Sequence, residues 1–107
     1  MSKTLYKVTF LNAGKVYELY ARQVASGALW GFTEIRELVF DLGDGVVIDP
    51  TEERLRDEFG NTRALHLPIQ SIVRIEEVER KSQSAIRDAA TGEKVVTPFP
   101  MPAKPPR

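Results

Sequence analysis

Few residues in this chain can do chemistry, and their types narrow what it can do. Its 107 residues contain no cysteine and one histidine, His66. Disulfide scaffolds, Cys-ligated zinc, iron–sulfur clusters and thiol nucleophiles are excluded, and with them multi-histidine metal sites. His66 sits between Leu65 and Leu67, and in a strand it points away from both, so leucines in the core leave it exposed. As a proton-transfer group it would need a carboxylate, Glu34 or Asp57, in the manner of a small hydrolase or lyase. Glu52, Glu53, Asp57 and Glu58 are a denser acidic group, of the kind that serves acid–base work or holds a divalent cation. Two of them fall in the first turn of an expected helix, where the dipole favours acids, and Glu52 stands four residues before Arg56. A solvated helix face is expected there, with no catalytic residue, no metal ligand and no cofactor. Asp41-Leu42-Gly43-Asp44-Gly45 has too few spaced carboxylates for calcium and reads as a hairpin turn. Ser71 lacks a nucleophile elbow, and no glycine-rich stretch matches a phosphate loop.

Contact residues are easier to name than catalytic ones. Trp30, between Leu29 and Gly31-Phe32 and downstream of Tyr17 and Tyr20, marks the densest aromatic region. Exposed rings there would stack on a peptide or a base. With one Trp, three Tyr and five Phe in the chain, most rings are needed in the core, leaving one or two exposed. Arg22, Arg36, Arg63 and Arg74 are the cations from which a phosphate-binding patch would be drawn. The contacts assigned to a partner are Tyr20, Arg22, Trp30, Arg36 and His66.

These side chains must be positioned by short elements. Thr4–Leu11 alternates, with Tyr6, Val8 and Phe10 on one face, and predicts a strand. Asn12-Ala13-Gly14 is a turn, and Lys15–Val24 the hairpin partner. Ala25–Leu29 is a loop, Gly31–Phe40 a strand, 41–45 a turn, and Val46–Ile48 a short strand. Asp49-Pro50-Thr51-Glu52 carries an N-cap acceptor, a proline at the first helical position and a following acid, starting a helix that runs to Phe59 and stops at Gly60-Asn61. Its Leu55 and Phe59 form one narrow apolar stripe. Arg63–Leu67 and Ile72–Val78 are strands around a tight turn at Pro68–Ser71. Strand–corner–strand endings of this kind resemble SH3-like and Sm-like barrels. The expected fold is mainly β, a small, partly open barrel with one inserted helix at about 50–59; an α+β sheet-plus-helix fold is the alternative.

Net charge is zero, from 15 basic and 15 acidic residues, but it is unevenly spread. Residues 1–79 hold nine Lys/Arg and thirteen Asp/Glu, a balance of −4, and residues 80–107 hold six and two, a balance of +4. Five of the seven prolines lie in the last ten residues. One folded domain over 1–79 and a flexible, basic, Pro-rich tail over 80–107 are expected. The tail's Pro102-Ala103-Lys104-Pro105-Pro106-Arg107 has the P-x-x-P-x-R form of a polyproline ligand, which also arises readily in any Pro-rich end. An acidic body disfavours nucleic acid, so a protein partner is expected ahead of RNA, with no DNA and no membrane partner. No apolar run reaches the length of a bilayer span. No unbroken apolar leader follows Met1, so a cytoplasmic location is the default.

Leu5–Phe10, Lys15–Arg22, Asp49–Phe59 and Pro68–Val78 together resemble the small bacterial proteins grouped as domain of unknown function family 1820, over about residues 3–79. The resemblance implies a bacterial cytoplasmic protein and supplies no site residues. The function expected is a non-enzymatic binding or adaptor module contacting protein or RNA through a β-rich surface, the small hydrolase or lyase with His66 being the alternative. Pairing of exposed strand edges between copies is a further expectation.

Overall fold

Alternating apolar side chains build the first two strands, and a two-residue turn joins them. In the computed structural model, which describes residues 4–40 and 50–95, β1 (Leu5–Asn12) pairs antiparallel with β2 (Lys15–Ser26). Asn12 lies opposite Lys15, so Ala13 and Gly14 alone reverse the chain. Both have positive φ, 53° and 77°, the geometry whose twist matches that of the flanking strands. Val8 and Phe10 meet Leu19 and Tyr17 across the pair, and all four are buried in one core.

β3 (Phe32–Val39) adds to the C-terminal half of β2. Here strict alternation breaks. Core side chains step by two along Tyr17, Leu19 and Ala21, then by three to Val24; on β3 they step by three from Ile35 to Leu38. The register survives because both strands shift together, at Arg22 and Glu37, between the pairs Ala21–Leu38 and Gln23–Arg36. Glu37 takes a φ of 57°, and Gln23 Nε2 donates to its carboxylate at 2.7 Å.

The helix α1 (Pro50–Phe59) matches the expected span. Proline at its first position sacrifices only an N–H that has no intrahelical acceptor. Leu55 and Phe59 are buried. Phe59 meets Tyr17 edge-on at 6.1 Å, and Tyr17 stacks on Phe10 at 5.1 Å. At the stop, Gly60 N–H donates to Arg56 C=O at 2.6 Å. The expected turn at 41–45, the strand at 46–48 and the Asp49 cap lie outside the described residues.

β4 (Ala64–Pro68), one 3₁₀ turn (Ile69–Ser71) and β5 (Ile72–Val78) follow, and the turn carries the chain from β3's flank to β1's. The strand order is β4-β3-β2-β1-β5. The fold is mainly β: the described residues form a six-stranded antiparallel sheet and one helix, and among them the sheet is not closed into a barrel.

Its sixth strand corrects the expected layout. β6 (Ala85–Asp88) pairs with Lys15–Glu18 of β2, inside the stretch whose composition reads as tail. Ser84, Ala85 and Ile86 are buried, and Ile86 joins the main core. Beyond β6 the chain turns back. Asp88 Oδ1 accepts from Ala90 N–H at 2.8 Å and Thr91 N–H at 3.0 Å, and Val95 N–H donates to Ile86 C=O at 2.9 Å. Residues 96–107, with the Pro-rich end, lie outside the described residues.

The solvated helix face also needs correction. Glu53, Asp57 and Glu58 are exposed, but Glu52 is only 1 % exposed. Its carboxylate pairs with Lys81 and accepts from Ser84 N–H at 2.9 Å. A buried carboxylate requires such compensation. Its partners come from the lead-in to β6.

Candidate functional site

The loop between β2 and β3 holds the most exposed aromatic residue described. Ser26 pairs with Thr33, closing the strands, and residues 27–31 bridge them. Phe32 N–H donates to Leu29 C=O at 3.2 Å, so Leu29–Phe32 form a β-turn with Trp30 at its apex. Gly31, third in that turn, has a φ of 81°, which a side chain would strain. Apex placement leaves Trp30 95 % exposed.

A second element braces the turn. Gly31 C=O accepts from Ile69 N–H at 3.0 Å, and Phe32 lies opposite Pro68 in the β3–β4 ladder. Leu29, Trp30, Phe32 and Ile69 are all exposed, and together they form an apolar rim held by two chain segments. The rim is poor in charge. Between Arg22 and Arg36 the only ionisable side chain is Glu34, and between Arg63 and Arg74 it is His66.

Those two groups stand side by side. On the face of β3 and β4 away from Ile35 and Leu67, the pairs Phe32–Pro68, Glu34–His66 and Arg36–Ala64 follow one another. Arg36 Nε donates to Glu34. That hydrogen bond is the main cause holding the Glu34 carboxyl below its usual range; desolvation opposes it, and the charges of Arg36 and then His66 add to the lowering. A carboxylate depressed in this way is a weak general base at neutral pH. His66 keeps Nδ1 shielded from solvent, without a hydrogen-bond partner among the described residues. Asp57 is exposed on α1. Among the described residues no three metal-ligating side chains group together.

The structure therefore divides the sequence-derived contact set. Trp30 sits on the rim, and Arg36 and His66 lie on the ladder leading from it. Arg22 is exposed on the neighbouring strand, where the β2–β3 pairing is interrupted. Tyr20 is removed from the surface: it is 2 % exposed and lies 5.0 Å beneath Lys81 Nζ. Tyr17 is buried as well. Sequence reasoning passed over Ile69, whose role comes only from its backbone bond to Gly31. An apolar residue directly after Pro68 in a tight turn was the available signal.

Comparison with curated proteins and with solved structures found no match. A family model does match, over residues 4–101. It reaches past the expected limit at residue 79 to include β6, in keeping with the place of Ile86 in the core. The chain belongs to the family described as domain of unknown function DUF1820.

Proposed function

We propose that this chain is a non-enzymatic binding module of the bacterial cytoplasm whose partner is a protein, bound through the Leu29, Trp30, Phe32 and Ile69 rim. The observation that carries this is Trp30, 95 % exposed at the apex of a braced turn. Leaving a large ring in water forgoes the hydrophobic gain of burial, and tryptophan is among the residues that dominate protein interfaces when a partner covers them. The scarcity of charge indicates the partner's chemistry. A phosphate backbone needs cations beside the stacking ring, and neither segment of the rim supplies one. An apolar protein surface needs none.

The test uses the chain's only tryptophan as both ligand and probe. Tagged full-length protein is used for capture from cell extract, with and without nuclease, alongside Trp30→Ala and Trp30→Phe. The expected result is a protein retained in a nuclease-insensitive way, lost with Trp30→Ala and partly kept with Trp30→Phe. With that protein purified, Trp30 emission should shift to the blue, and Trp30→Ala should weaken affinity by about 30-fold, the effect of a hot-spot truncation of about 2 kcal/mol. Retention that is indifferent to Trp30→Ala, or that nuclease abolishes, would overturn the assignment.

A further inference from the structure

β5 ends the sheet, and among the described residues it has β1 on one side and no strand on the other. Its surface is unusually apolar for an open edge: Val73 is 65 % exposed and Ile75 38 %. The opposite end of the sheet is better defended, because β4 is short and closes on Pro68, which has no N–H to offer a new strand. β5 contains no proline.

The geometry points to a second copy of the same chain as the occupant of this edge, paired antiparallel about a two-fold axis through Ile75. Within Arg74–Val78, where the ladder to β1 is regular, the charges select that register. In a two-fold antiparallel pair each residue meets one facing the same side of the sheet, so one residue must lie on the axis opposite itself. Centring on Arg74 sets arginine against arginine; centring on Glu76 or on Glu77 sets carboxylate against carboxylate. Like charges directly opposed destabilise a strand pair. Centring on Ile75 sets Ile75 against Ile75 and Arg74 against Glu76 in both directions. Arg74 and Glu76 are exposed or nearly so and share one face of β5, where Arg74 Nε lies 3.6 Å from the carboxylate. In the dimer each ion would gain a second counter-charge. The ladder to β1 is in step from Arg74 to Val78, and its irregularity falls at Val73, between the partners of Thr9 and Phe10. This inference is independent of the Trp30 rim.

The full-length chain is measured by sedimentation equilibrium from micromolar to millimolar concentration. The expected mass rises from 12.0 kDa to twice that value. Arg74→Glu, which sets carboxylates against each other at both ends of the pair, should stay monomeric over the same range. Mixed with Glu76→Arg, it should regain the dimer, because each chain then meets its complement. Glu76 also faces Lys7 within the chain, so circular dichroism checks that Glu76→Arg folds; if it does not, the remaining arms decide. With no native cysteine present, Ile75→Cys should oxidise to a disulfide-linked dimer and Val73→Cys should not. The proposal is overturned by a mass of 12.0 kDa throughout, by growth beyond the dimer, by an Arg74→Glu dimer as strong as the wild type, or by equal crosslinking at Val73.

Discussion

A carboxylate that is almost wholly buried must bring its counter-charge with it, and Glu52 does so across 29 residues of sequence. Lys81 supplies the charge and the Ser84 N–H a second hydrogen bond, while the same Lys81 ammonium lies over the ring of Tyr20. Removing one partner of such a pair leaves the other charged and desolvated, which costs about 3–5 kcal/mol. Lys81 keeps 12 % of its side chain in solvent, so Glu52→Ala should fall near the lower end, about 3 kcal/mol by urea unfolding. Glu52→Gln should lose less, since an amide oxygen can still accept from Ser84 N–H. Adding Lys81→Met to Glu52→Gln should recover part of the loss. Equal effects of Glu52→Ala and Glu53→Ala, the latter exposed on the same helix, would show that the buried pair contributes nothing.

Elements built from local signals were legible in the sequence, and those built from distant contacts were not. The β1–β2 hairpin could be read because alternation and an Ala-Gly turn lie within neighbouring residues. α1 could be read because Pro50 and the first-turn acids are local, as is the Leu55–Phe59 stripe. The Glu37 irregularity escaped because it cancels between two strands, and β6 because four residues carry no usable period. Trp30 and Tyr20 were equally eligible as exposed rings from composition, and only the turn apex that carries Trp30 separates them. The turn after β6 gives a test at this scale. Backbone N–H groups of Thr91 and Ala90 hold the Asp88 carboxyl below its ordinary range. A depressed carboxyl stabilises the folded form above the unfolded pKa of about 3.9, and that contribution is lost as pH falls through the lower, folded value. The Ala90 and Thr91 amides should therefore keep their hydrogen-exchange protection from neutrality down to about pH 4 and lose it below. In Asp88→Asn, which retains an acceptor oxygen, protection should not vary with pH across that window. Loss of protection well above pH 4 in the native chain would contradict the arrangement.

At the scale of the whole molecule, zero net charge hides an organisation that composition divides in the wrong place. The residues that make the C-terminal stretch basic include Lys81 and Arg87, and both are used by the body: Lys81 neutralises Glu52, and Arg87 lies 3.6 Å from Glu18. Electrostatics here attaches β6 to the sheet as well as shaping any surface for a partner. The consequence for stability is direct. A chain ending at Glu79 loses Ile86 from the core, uncovers the edge of β2 from Lys15 to Glu18, and strands Glu52 without Lys81. Ile86→Ala alone, a large-to-small change in a packed core, should cost about 2–4 kcal/mol. The truncation should cost more than that single change, because it adds an uncompensated buried carboxylate to the cavity. It should also lower the denaturant slope, since less surface remains to be exposed on unfolding. Urea unfolding of the three chains gives the order of midpoints: full length highest, Ile86→Ala next, the chain ending at Glu79 lowest or unfolded from the start. A truncated chain with an unchanged midpoint would mean that the first 79 residues close their own core, and β6 would be an appendage to a sheet already complete.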